Sequence, residues 1–406
     1  MQANILTLGK NYFATFSELP LRCWRGIVLS LIEAIFMGIF YFLSIYFVQV
    51  LRLDIATAGS IISCYGIGAI IGGFAGKLSD KISPRKVSFA CLFVQVICYL
   101  GLVILTTKNL LIINVFILGM ATYGFITSNN LWVLNQCDNN EKQKLKVINL
   151  MSVASNLGLG ISGILIGLFS QYGFSYIFIT SAILLFALSS YMMLQDVKQQ
   201  PHKLKKIVIE KKVIQEAVFS AKKNTFVIWV VLFFVLLIGS IVSQRSTTYT
   251  IYLESAFPQL GIKSVSILFT LNTFLVVLFA TSIGDVFSKY NKLLMMGIGG
   301  FLIGFGMFML SFSHVFFLVV ISCIIYTLGE ILFFSMVQLV CYQNGGARNK
   351  GQSLGMFRIF YACSRIIGPS VGTMIYHHFG GDIVWYLSGI IGFLCLVTCN
   401  YFKSLA

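Results

Sequence analysis

Charge is what this 406-residue sequence has least of: Asp, Glu, Lys and Arg make up 10% of it, against 58% hydrophobic residues. Soluble domains carry about 25% charged residues, so there is too little polar surface here to coat several globules in water. Acidic residues are the scarcer sign, 13 against 29 Lys and Arg. Proline is rare too, with five residues, which suits long uninterrupted helices. The four histidines, His202, His314, His377 and His378, fall in loops or at the end of an apolar run. No His-Glu-x-x-His, no Gly-x-Ser-x-Gly and no phosphate-cradling Gly-rich Lys-Ser/Thr loop occurs, so the sequence writes neither a zinc or serine hydrolase nor a nucleotide-driven pump. Ten scattered cysteines without a Cys-x-x-Cys read as small apolar fillers. No metal or cofactor is expected, and no enzyme.

What is there is apolar length. Mean hydropathy is +0.89, and a spanning helix needs about 20 apolar residues. Runs of that length fall at 27–50, 55–76, 87–106, 110–134, 145–169 and 174–194, then at 226–252, 262–285, 293–312, 315–340, 353–377 and 383–402. The expected architecture is an all-α polytopic membrane protein. A tail at 1–26 precedes a first six-helix bundle at 27–194. A basic linker at 195–225 leads to a second bundle at 226–402 and a tail at 403–406. Within the linker, Val208, Val213, Ile214 and Val218 fit either an amphipathic surface helix or a solvated tether. No cleavable signal precedes the first span, which is itself the expected insertion signal.

The net charge of +16 follows from topology. With both termini on one side, 23 of the 29 Lys and Arg fall on that side. Three, Arg52, Lys108 and Lys263, fall opposite, and three lie inside spans. The positive-inside rule then puts both termini in the cytoplasm, in a bacterial inner membrane, and the excess charge faces lipid heads rather than nucleic acid. The halves also match: Leu53-Asp54-Ile55 parallels Leu260-Gly261-Ile262, and Asp80 parallels Asp285, at offsets near 207 and 205. Parallel halves enclosing a midplane site are a common transporter plan.

Between the second and third spans stands Gly76-Lys77-Leu78-Ser79-Asp80-Lys81-Ile82-Ser83-Pro84-Arg85-Lys86. This resembles the G-x-L-x-D-[RK]-x-G-[RK]-[RK] loop of the major facilitator superfamily, through Gly76, Leu78, Asp80, Lys81 and Arg85. Ser83 and Pro84 depart from it. The second-half copy keeps Asp285. The resemblance implies a twelve-helix transporter working by alternating access, and implies for Asp80 and Arg85 a brace between the two bundles. Gly329-Glu330, and Arg348-Asn349-Lys350-Gly351 leading to Ile367-Gly368-Pro369-Ser370-Val371-Gly372, resemble drug-exporter-like members. Helix 5, Asn156 to Gly163, lacks the Gly-Pro of their antiporter motif.

Five ionisable residues fall inside spans, Glu33, Arg245, Glu330, Arg358 and Arg365, where charge is expensive unless it faces a cavity or a partner. Counted from the span ends, Glu33, Glu330 and Arg358 lie in the cytoplasmic half. The expectation for Glu330 and Arg358 is either a structural pair or a gate, and for Glu33 proton binding. Arg245 and Arg365 lie near the midplane with too few acids at their depth, so the buried set carries +1 and an anionic substrate would balance it. Gln244, Asn272, Tyr41 and Tyr361 extend the substrate-binding set, with Asn129, Asn130 and Gln338 as weaker candidates. The reading is a monomeric, proton-coupled carrier of a small organic anion such as a polycarboxylate, leaning to export. The alternative is a multidrug efflux carrier of amphipathic compounds.

Overall fold

The computed structural model describes residues 21–136, 141–194, 218–287, 290–313, 315–344 and 346–403, which are helical almost throughout. Helix α1 starts at Leu21–Met37 and continues through a 3-10 turn, Gly38–Phe42, a short Leu43–Ile45 segment and a wide π turn, Tyr46–Val50. The rest of the first half is α2 (Ile55–Gly72), extended by Ala75–Lys81, then α3 (Pro84–Ile104), α4 (Lys108–Leu134), α5 (Glu141–Phe169) and α6 (Phe174–Leu194). The second half opens with α7 (Val218–Ser243), whose path runs on through the 3-10 turn Gln244–Ser246 into Thr248–Ala256. Helices α8 (Ile262–Phe287), α9 (Lys292–Phe308), α10 (Phe316–Asn344), α11 (Gly346–Phe379) and α12 (Gly381–Phe402) complete it. Among the described residues eleven helices are long and apolar enough to cross a membrane. The twelfth long helix, α11, carries Arg358, Arg365 and an internal Pro369, and is the least apolar.

Helix limits follow local chemistry. Asp54 caps α2 by accepting from Thr57 N at 2.8 Å, and Asn291 caps α9 by accepting from Leu294 N at 3.0 Å. Pro84 opens α3, where its missing N–H costs nothing. Gly173 (φ +90°) and Gly380 (φ +84°) make the tight entries to α6 and α12, a conformation glycine adopts without a Cβ penalty. They stand 207 residues apart, the spacing at which the two halves match.

That repeat governs packing. In the first half α1 packs on α5, α2 on α4, and α3 on α4 and α6; in the second α7 packs on α11, α8 on α10, and α9 on α10 and α12. The halves meet where α2 packs on α11, α5 on α8 and the broken stretches of α1 and α7 touch. Ser44 Oγ lies 2.7 Å from Thr250 Oγ1, so two positions 206 apart in sequence face each other across the pseudo-symmetry axis. Ser63 donates to the Ile366 carbonyl at 2.7 Å, and Thr270 to the Gly160 carbonyl at 3.2 Å. We call the side where α1 begins and α12 ends the near face, and the other the far face. These contacts lie between mid-membrane and the far face. Toward the near face Asn130, Gln338 and Arg358 are exposed within their spans, as suits side chains looking into water between the halves rather than into lipid.

Several boundaries differ from expectation. Helix α7 begins at Val218, inside the stretch expected as a linker, while its apolar spanning part starts at Val227; residues 195–217, with Val208, Val213 and Ile214, lie outside the described residues. Helix α1 begins at Leu21 rather than 27, and α10 runs to Asn344 rather than 340.

Candidate functional site

Two helices break at matching positions. The 3-10 turns beginning at Gly38 and Gln244 stand 206 residues apart, and neither stretch contains proline. Broken helix is tolerated at membrane depth where the freed backbone is buried in protein or lines a cavity. The cavity here lies between the halves, lined by Phe40 and Tyr41 of α1, Tyr65 and Gly66 of α2, Val242, Ser243, Arg245 and Ser246 at the α7 break, and Tyr361 and Arg365 of α11.

Within it the two arginines differ in their partners. Arg245 donates from Nη2 to Glu330 Oε1 at 2.8 Å, from Nη1 to Asn272 Oδ1 at 2.6 Å and from Nε to the Val242 carbonyl at 3.3 Å. Asn272 Nδ2 in turn donates to Glu330 Oε2 at 3.2 Å and Thr327 Oγ1 at 2.8 Å, and the guanidinium lies 5.8 Å from the Tyr326 ring centre. Both ends of the ion pair are shielded, at 12% and 14% exposure. Arg365 donates from Nη1 to the Tyr123 hydroxyl of α4, across the boundary between halves. Its guanidinium carbon lies 5.8 Å from the Tyr123 ring centre and 6.0 Å from that of Tyr361. Among the described residues it has no carboxylate partner.

The pairing corrects the sequence reading twice. Glu330 does not pair with Arg358: it sits at the centre of α10, fourteen residues from either end, level with Arg245. Arg358, near the end of the first third of α11, is exposed. Nor do both midplane arginines lack an acid; among the described residues only Arg365 does.

Other predicted residues divide in the same way. Tyr41 and Tyr361 line the cavity, and Asn272 reaches it through the Arg245 network. Gln244 does not belong to it: its amide donates to the Gly368 carbonyl at 2.8 Å and accepts from Thr248, pinning α7 to α11. Asn129 likewise joins α4 to α1, donating to Gly26 O and Ser30 Oγ. Glu33 is 2% exposed and accepts from Gln95 Nε2 of α3 at 3.3 Å; it lies inside the first half, off the cavity. In the loop motif, Arg85 donates from Nε to the Met192 carbonyl at 2.8 Å, near the last turn of α6, where a cation suits the helix dipole. This bond stays within the first half. Leu78 and Lys81 are exposed, and a Cβ on Gly76 would touch Thr127 of α4 at 3.4 Å. The side chains of Asp80 and Asp285 lie outside the description.

Sequence reasoning missed the tyrosines that surround Arg365. Tyr123 and Tyr65 sit mid-span among apolar residues, as Tyr41 and Tyr361 do, and the same reasoning applied to every mid-span tyrosine would have found them. Phe40, stacked on Tyr65 with ring centres 4.0 Å apart, carries no such signal, since phenylalanine abounds in this chain.

Known proteins carry this arrangement of helices. The family model described as Major Facilitator Superfamily matches residues 27–369. Two Bacillus subtilis (strain 168) proteins described as uncharacterized MFS-type transporters align over most of their length. YqjV is 23% identical over 88% of this chain and 86% of its own; YttB is 24% identical over 83% of each. Among solved structures, a POT family transporter in complex with 5-aminolevulinic acid superposes with a TM-score of 0.79 at 16% identity, over 96% of this chain and 97% of its own. The nucleoside transporter NupG superposes with a TM-score of 0.76 at 16% identity, over 95% and 99%.

Proposed function

The chain belongs to the Major Facilitator Superfamily and is a multi-pass membrane transporter of a small molecule, and from that premise we propose that it is a proton-coupled carrier of a small organic anion. The observation that supports this is Arg365: a guanidinium in a cavity between the two halves, with no acidic partner among the described residues. A guanidinium stays charged, and an isolated charge at membrane depth is costly unless a partner balances it. A substrate carboxylate supplies that balance when bound.

The proton site in this reading is Glu33. It is buried beside Gln95 with no cation in ion-pair reach among the described residues, so a proton relieves the cost of holding a bare carboxylate there. Alternating access follows from the two halves separating on one side and closing on the other, with the near face in the cytoplasm as the basic loops favour. Export is the direction that the α10 and α11 sequence motifs suggest; no contact in the cavity bears on it.

The test is counterflow and gradient-driven accumulation in proteoliposomes, with carboxylates and one lipophilic cation as substrates. The wild type is expected to exchange a carboxylate, and Glu33→Gln to keep exchange while losing accumulation against a proton gradient. Full proton-driven accumulation by Glu33→Gln would remove Glu33 from coupling. Exchange of the cation alone would replace the anion reading with a multidrug carrier.

A further inference from the structure

The two guanidiniums at the cavity differ in how much of each is still available. Arg245 spends Nε, Nη1 and Nη2 on Val242, Asn272 and Glu330. Its charge is neutralised and each of its nitrogens already has a partner. Arg365 spends only Nη1, on Tyr123. Among the described residues its Nε and Nη2 have no acceptor, and these two N–H groups form the edge of the fork that holds a carboxylate through two parallel bonds. The Tyr123 and Tyr361 rings lie within 6.0 Å of the guanidinium carbon. Phe40, Tyr41 and Tyr65 supply further ring surface along the same cavity, with Phe40 and Tyr65 already stacked on each other.

From this geometry we infer that the substrate is a small aromatic monocarboxylate, held edge-on by Nε and Nη2 of Arg365, its ring entering among Tyr41, Tyr65 and Tyr361 as the two halves part, since the cavity as it stands holds only about 20 Å³. The inference rests on the organic-anion reading and narrows it. It also departs from the polycarboxylate expected from sequence. A second carboxylate would find Arg245 taken by Glu330 and would lie against a carboxylate of the same sign, and like charges brought together in such a site cost several kcal/mol. A planar ring gains where an aliphatic chain does not, because offset or edge-on ring pairs add stabilisation beyond the area they bury.

The experiment measures binding to the purified full-length chain of four probes: benzoate, hexanoate, citrate and tetraphenylphosphonium. Benzoate is expected to bind roughly tenfold tighter than hexanoate, the upper range for one good ring contact, and citrate more weakly than either. Arg365→Gln should weaken benzoate by about 30-fold or more, and Arg365→Lys should restore part of it, keeping the charge but losing the fork. Tyr361→Leu serves if Arg365→Gln does not fold: it should weaken benzoate several-fold and leave hexanoate unchanged. Equal binding of benzoate and hexanoate, or tightest binding of citrate, each dependent on Arg365, would overturn the aromatic monocarboxylate while leaving an anion carrier standing. Binding of tetraphenylphosphonium with none of the three carboxylates would overturn both.

Discussion

In the first half, α1 packs on α5, α2 on α4 and α3 on α6, and among the described residues the one fully buried charged side chain is Glu33, held by Gln95. In the second half the equivalent helices pack in the same pairs, yet the charges found at the cavity among the described residues are two partly buried guanidiniums and one carboxylate, with one guanidinium left over. The glycines that open α6 and α12 match, and so do the breaks in α1 and α7. What is repeated is backbone; what is not repeated is the charge at membrane depth. Helix packing in a membrane is set by small residues and close backbone approach, and these tolerate any chemistry on the faces turned to the cavity. On the function proposed above, the comparison separates two jobs, with the proposed proton site inside the first half and the proposed anion site on the second.

The comparison is broken most sharply at Arg245 and Glu330. Removing one partner of a buried ion pair typically costs about 3–5 kcal/mol, whereas replacing both often costs little. Arg245→Gln and Glu330→Gln alone should each lower thermal stability in detergent markedly, and the double variant should recover most of the loss. Single variants as stable as wild type would mean the pair bears no strain from burial.

A smaller effect is expected where the halves touch. Ser44 and Thr250 meet across the axis on the far side, and one hydrogen bond there contributes about 0.5–1.5 kcal/mol. Ser44→Ala should leave stability within that range and raise the accessibility of the cavity from the far face, read by labelling a cysteine placed at Val242 in a cysteine-free background. Unchanged labelling would show that α2 on α11 and α5 on α8 hold the closure without this contact.

The smallest effect lies at Asp54, whose repeat partner is Gly261. The Thr57 side chain and N–H hold the exposed Asp54 carboxyl below the ordinary aspartate range. A lowered folded-state value means that the cap stabilises the fold above the ordinary range and loses that contribution as pH falls through the lowered value. Asp54→Ala should cost about 1 kcal/mol and Asp54→Gly, which copies the second half, only a few tenths. Equal losses for the two would show the side chain is not acting as a cap.

Much of this fold is legible in the sequence because apolar runs end abruptly at charged loops; α6, read as 174–194, is Phe174–Leu194. The repeat was visible at Leu53-Asp54-Ile55 and Leu260-Gly261-Ile262. What could not be read was lateral position. Depth can be counted from a helix end, but which face a residue turns depends on packing, so Gln244 and Arg245, adjacent in sequence, reach Gly368 on one side and Glu330 on the other. The helix breaks left no proline to mark them.

One measurement tests the central claim most directly: the equilibrium affinity for benzoate of Arg365→Gln beside that of the Arg245→Gln/Glu330→Gln double variant, both confirmed folded. The account predicts a loss of about 30-fold or more in the first and an affinity within about threefold of wild type in the second, because the 245–330 pair carries no net charge for the ligand to balance. The reverse pattern, with the double variant losing benzoate and Arg365→Gln keeping it, would contradict the assignment of the anion to Arg365.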